Sequence, residues 1–205
     1  MSNRKNTDMN LVFPYTKEEI DKIGNAIIYL ANQISPLSKT RLLKLIYLIE
    51  ETSVKKYGLP VFNLRFLVWK FGPVSKDLFI ELSAKPVLLD KYISREERDG
   101  NTFVMARKAF SDDEFSDNEM AVLDLIIDKF KNTSAEDLVK FTHREHSLWH
   151  TTAKEKGVLE LLENESINNT EIEMDFSQLL KGDSVKRSLY LQQREYLQQS
   201  RSLKF

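Results

Sequence analysis

The chain has 205 residues and a mass of 24.0 kDa, the size of one domain with at most an appendage. Hydrophobic residues make up 41% and charged residues 30%, with 12 Phe, 7 Tyr and 2 Trp, which excludes global disorder. Only 6 Gly and 5 Pro argue against a turn-dense sandwich or barrel, and the expected class is mostly α (α+β). With no cysteine there is no disulfide framework, thiolate metal centre or cysteine nucleophile, and a reducing cytoplasm fits. No window reaches the ~18 to 20 apolar residues of a membrane span, and polar Met1 to Asn10 lacks the apolar run of a signal peptide. A cytoplasmic location is therefore expected.

The net charge of -1 conceals a segregation. Residues 1–110 hold 18 Lys/Arg against 12 Asp/Glu, residues 111–175 hold 6 against 17, and residues 176–205 hold 6 against 2. Such blocks attract opposite partners, although solvated helix faces have the same composition. Charge alone does not support direct nucleic-acid binding.

Thr16-Lys17-Glu18-Glu19 has capping-box spacing, and the apolar positions from Ile20 to Ile34 predict a first helix over 17–34, preceded by a flexible N-terminus, 1–15. Pro36 stops it. Ser38 can cap a second helix, about 39–56, whose apolar positions spread so far round the axis that it must be largely buried. Gly58 and Pro60 break the pattern, and from Val61 to Phe71 the chain reads as extended before the turn Phe71-Gly72-Pro73-Val74. A short helix follows from Ser75 through Ser83. Segments 87–93 and 102–108 flank Asp99-Gly100 and predict a small antiparallel hairpin. Ser116 opens another capping box and Ser134 another cap, giving helices with Leu123, Ile126 and Leu138 turned to the core. Residues 151–165 read as helix and 164–170 as a turn. After Gly182, Ser184 to Leu203 forms a basic amphipathic helix, with Val185, Leu189, Tyr196, Leu197 and Leu203 on a polar background, that either packs on its own domain or docks on a partner.

All three histidines lie in His143-Arg144-Glu145-His146-Ser147-Leu148-Trp149-His150. On a continuous helix, His143, His146 and His150 would share one side and could hold zinc without sulfur, the basis of a metal-dependent hydrolase reading. Against it, the spacing is not HExxH, and Ser147-Leu148-Trp149 suggests a helix break. The alternative makes His143 a packing residue and Trp149 a core anchor. Walker, GxGxxG and GxSxG loops are missing, and the carboxylates Asp112, Asp113 and Glu114 lie in a polar stretch suited to a solvated loop. Lys39, Arg41 and Lys44, at the start of the second helix, suit phosphate contact or plain solvation equally. The chain reads as a binding protein rather than an enzyme.

Arg41-Leu42-Leu43-Lys44-Leu45-Ile46-Tyr47-Leu48, then Tyr57-Gly58-Leu59-Pro60-Val61-Phe62, then Val68-Trp69-Lys70-Phe71-Gly72-Pro73-Val74 resemble the Panacea domain, the SocA-like antitoxin family. Leu138 to His143 followed by Ser147-Leu148-Trp149 resembles that family's second half. Val68 stands where the family often has Ala, and Leu148 where it often has Pro; both substitutions are compatible with packing. The resemblance implies an antitoxin domain over 16–175, from a bacterial or phage toxin–antitoxin pair, that neutralises a toxin encoded nearby by direct binding. A relative that acts as an adaptor delivering its toxin to a protease makes that the runner-up. No catalytic residues and no cofactor are implied. Tyr47, Tyr57, Gly58, Trp69, Gly72, Pro73, His143 and Trp149 are expected to be scaffold. Toxin contact is expected in the tail, 176–205, at Tyr190, Arg194, Tyr196 and Leu197, with homo-oligomerisation a further possibility. The acidic block could cover a basic toxin surface. Autoregulation of transcription would need a partner, since no basic recognition helix is visible.

Overall fold

The computed structural model describes residues 15–202. The segment expected to be flexible, 1–15, lies outside the described residues apart from Tyr15, as does Leu203 of the tail. Helix α1 (Lys17–Gln33) opens on the expected box: the Glu19 amide donates to Thr16 Oγ1 at 3.2 Å and the Thr16 amide to the Glu19 carboxylate at 2.7 Å. A two-residue strand β1 (Leu37–Ser38) leads into α2 (Lys39–Tyr57), which Ser38 caps. Gly58 ends α2 in the left-handed region, at φ 75°, a conformation that favours glycine.

Helix α2 is the axis of the molecule. Every residue from Leu42 to Glu51 is buried, and the helix touches elements on all sides. Leu42, Leu45, Ile46 and Ile49 are fully enclosed, each contributing roughly 2 kcal/mol of apolar burial. Tyr47 meets the edges of Phe66 and Phe176 at centroid distances of 5.4 and 5.9 Å. Because α2 is enclosed all round, its polar residues must find partners inside the fold.

The remaining elements wrap this axis. Strands β2 (Leu67–Trp69) and β3 (Gly72–Val74) form a tight antiparallel hairpin and α3 (Lys76–Ser83) follows. Strands β4 (Ile93–Arg98) and β5 (Asn101–Ala106) pair antiparallel with Arg98 opposite Asn101, and β1 adds to β5 to give the order β1-β5-β4. Both Asp99 and Gly100 have positive φ, the primed turn expected of this dipeptide. Next come α4 (Asp117–Phe130), α5 (Ala135–His143), α6 (Leu148–Glu155), α7 (Leu159–Glu163), a 3-10 turn (Phe176–Leu180) and α8 (Ser184–Ser202). Before that turn the chain runs back along β2: Val68 N–H donates to Ile172 O and Met174 N–H to Phe66 O. The fold is mostly α with a small antiparallel sheet, a single domain, as the sequence predicts.

Two boundaries differ from expectation. Segment 87–93 is not the first hairpin strand: the buried Glu81 carboxylate accepts the amides of Val87, Leu88 and Leu89 at 3.0–3.1 Å, curling the chain so that the strand starts at Ile93. The helix expected over 151–165 begins earlier, at Leu148 after the Ser147 cap, and breaks at Gly157, which has φ 69°.

Glu50 repeats the device of Glu81 on α2. Its carboxylate accepts the amides of Val61, Phe62 and Leu64 at 2.7, 2.9 and 3.2 Å, fixing the loop after α2. Glu50→Ala leaves three inward amides without a partner and is expected to lower stability by about 3 kcal/mol; Glu50→Gln, which keeps an acceptor oxygen, is expected to cost about 1 kcal/mol. Urea unfolding of the two variants checks the order.

Candidate functional site

Two neighbourhoods gather the residues singled out in the sequence. The first is an internal knot. Lys44 points from α2 into the interior, where it is 1% exposed, and its Nζ donates to Pro73 O at 2.9 Å. Burial lowers its pKa to about 7. Gly72, at φ 95°, lies so close that a Cβ there would sit 2.7 Å from Thr142 Oγ1 and 3.2 Å from Lys44 Nζ. Both backbone conformation and space therefore demand glycine at this turn. Trp149 Nε1 donates to Trp69 O at 3.0 Å, and Trp69 Nε1 donates to Thr170 O at 3.1 Å. His143 stacks on Trp149 with centroids 3.9 Å apart. Its pKa falls to about 4, first through burial and then through the Lys44 charge, so it is neutral at pH 7. Tyr47, also enclosed, has its pKa held well above the ordinary phenol value by burial and then by the Glu51 charge.

The knot removes the basis for a three-histidine metal site. α5 ends at His143, Arg144 turns extended, and Ser147 starts a new helix, so no continuous helix carries the three rings. His146 occupies the intervening turn at φ 64°, with its side chain 89% exposed. Among the described residues, no group of three His, Asp or Glu side chains is placed to hold a metal ion.

The second neighbourhood is a cleft of about 290 Å³ between α8 and the loop after α2. Glu50 lies at its floor, its pKa raised to about 7 by burial against the lowering effect of its amide partners. Glu173 is held at the rim by Arg65 Nε and Arg194 on its two oxygens, both at 3.0 Å. Asn63, at φ 54°, lines the same cleft, and its Oδ1 is buried without a hydrogen-bond partner. Of the four tail residues named from sequence, Tyr190, Arg194 and Leu197 line this cleft, while Tyr196 faces outward. Tyr190 is 5% exposed and packed into the core, so it anchors α8 to its own body. Gly58 completes the seat: a Cβ there would stand 2.8 Å from Lys186 Cβ and 2.9 Å from its Cα.

The family model for the antitoxin SocA-like, Panacea domain matches residues 42–150, more than half of the chain. The chain belongs to that family. No curated protein and no solved structure matches it. The matched Panacea segment contains all of the knot's α2 and hairpin residues together with Trp149, whereas α8 lies outside it. The residues that carry the resemblance thus lie largely in the interior, and Tyr47, Gly72, Pro73, His143 and Trp149, expected to be scaffold, stand in or beside the knot. Trp69 and Tyr57 are only half-buried.

Sequence reading placed Lys44 among surface cations and passed over Glu50 and Glu81. The signal was present: Lys44 and Glu50 lie inside an α2 segment that is apolar on every face, where a charged group has to be buried and bonded. A pH test follows from Lys44. Its folded pKa lies below its unfolded value of 10.5, so the unfolded chain binds the extra proton between these limits and stability rises with pH there. Between pH 7.5 and 9.5 the wild-type chain is expected to gain stability by up to ~1.4 kcal/mol per pH unit from this group, and Lys44→Met to flatten the slope. Denaturant titrations across that range measure it.

Proposed function

We propose that this chain is the antitoxin of a bacterial or phage toxin–antitoxin pair and neutralises a partner toxin in the cytoplasm by direct, stoichiometric binding. The observation that carries the reading is the antitoxin-family match across more than half of the chain. Two structural facts support binding over turnover. The buried amine of Lys44 donates to Pro73 O, and the imidazole of His143 stacks on Trp149 with its Nε2 buried and without a hydrogen-bond partner, so both groups are enclosed within the fold. No helix among the described residues is long and apolar enough to cross a membrane.

Toxin contact belongs at the cleft. Arg194 and Leu197 on α8 face Asn63 and Arg65 across it, and the unpartnered Asn63 oxygen is an acceptor awaiting a donor. Tyr190 holds that surface in place. The acidic segment, with Asp112 and Asp113 exposed just before α4 and Asp117 exposed in its first turn, is suited to steering a basic toxin.

Co-expression with the product of the adjacent reading frame is expected to restore growth and yield a complex. Leu197→Asp together with Asn63→Lys is expected to abolish both while the chain stays folded; unimpaired rescue would remove the cleft from the interface. Removing the whole tail is a poor substitute, because it uncovers the core around Tyr190. Rescue without a complex, and dependent on a protease, would favour the adaptor reading. Reversing Asp112, Asp113 and Glu114 is expected to slow association roughly tenfold at low salt, with the difference vanishing at high salt. Stopped-flow mixing reads the rates.

A further inference from the structure

The outer face of α8 carries apolar side chains that the fold leaves uncovered. Val185 is 77% exposed, Leu189 40% and Tyr196 65%. With the exposed Gln192 and Gln199 they follow one another at steps of four, three, four and three residues, and the sequence continues the series to Leu203. This mean period of about 3.5 residues is the repeat that lays one helix along another. The residues that seat α8 on the body, Lys186, Tyr190, Arg194 and Leu197, lie roughly a third of a turn further round the helix. The seam is therefore open while α8 stays docked.

We propose that this seam is a self-association surface on which a second copy of the chain docks, α8 beside α8 in parallel about a two-fold axis. The period specifies a helix as occupant. The composition specifies an identical one, because a carboxamide both donates and accepts: Gln192, whose Nε2 gives one hydrogen to Ser188 Oγ of its own helix at 3.4 Å, meets its own counterpart across the axis with its second N–H and its carbonyl oxygen in a self-complementary pair. The antiparallel register that sets Gln192 against Leu189 would bury an amide without a partner, which costs free energy. Charged residues flanking such a seam normally select an unlike partner. Here the flanking positions are Ser188 and Gln193, with Glu195 accepting from Gln199 Nε2 of its own helix at 3.3 Å and Lys186 held by Asp183 of its own chain at 3.3 Å. A net charge of -1 per chain adds little repulsion between copies. Helix α8 is already formed and anchored by Tyr190, so pairing does not have to order it. The surface differs from the cleft, and the proposal stands independently of the toxin reading.

The test is the mass of the full-length chain in solution, measured by sedimentation from low to high micromolar concentration. The wild-type chain is expected to reach twice its 24.0 kDa. Leu189→Lys is expected to weaken the dimer by at least ~10-fold, since a charge enters the seam. Leu191→Lys changes a leucine of similar exposure, 45%, on another side of α8 and is expected to leave the dimer intact. Because the chain has no cysteine, Gln192→Cys gives a single thiol, expected to form an intermolecular disulfide on mild oxidation far faster than Gln198→Cys. A wild-type chain that stays monomeric throughout overturns the proposal. Equal loss with Leu191→Lys, or equal cross-linking through position 198, overturns it as well. A monomer in which Leu189→Lys abolishes toxin neutralisation gives the face to the toxin, and a dimer without the position-192 cross-link rejects the parallel arrangement.

Discussion

The burial of α2 on every side is the constraint from which the rest of the structure follows. Over Leu42–Glu51 the helix has no solvent-facing stripe for its charges, so a charged group there is costly unless another part of the chain bonds it. Lys44 finds the Pro73 carbonyl and Glu50 finds three amides of the following loop. These bonds place the β2–β3 hairpin and the loop at residues 58–66 against the helix more specifically than apolar contact alone would, because a hydrogen bond has direction and an unmade one is costly. The knot around Trp149 and the floor of the cleft are thus two ends of the same helix.

That arrangement separates holding from recognising. Gly72, Trp149 and His143 are tied into one another through close packing, a ring stack and an indole hydrogen bond, and variation there disturbs the core. The cleft and α8 lie at the other end, where Arg65, Asn63 and Gln198 meet solvent and α8 is fixed by Tyr190 in the core and by Lys186 against Gly58 and Lys55. A surface that has to fit one particular partner belongs on such a periphery, supported by a scaffold that does not change with it.

Much of this was legible in the sequence because the signals were local. Thr16 with Glu19 and Ser116 with Glu119 announced helix starts, Asp99-Gly100 announced its hairpin, and the ordered motifs between Arg41 and Trp149 announced the family. What escaped depended on side-chain bonds and backbone turns that propensity and periodicity do not record. The strand expected near residue 87 was lost to Glu81, whose pull on three amides no propensity records, and the helix after Thr151 broke at a glycine that periodicity alone passes over. Lys44 looked like any N-terminal helix cation until the hairpin folded across it. Tyr190, whose residue type suits an interface anchor, serves the chain's own core instead, since an aromatic with a polar tip suits either place.

The grip of Glu50 on main-chain amides has an evolutionary consequence. A loop held by its side chains must keep them, whereas a loop held through peptide N–H groups keeps its course whatever outward residues it carries. Val61, Phe62 and Leu64 point inward, but Leu59 and Arg65 are only partly buried or exposed, and their side chains are not what Glu50 holds. Those outward positions can be rewritten without refolding the loop. One buried carboxylate on α2 thereby uncouples the shape of this loop from the chemistry of its outward side chains.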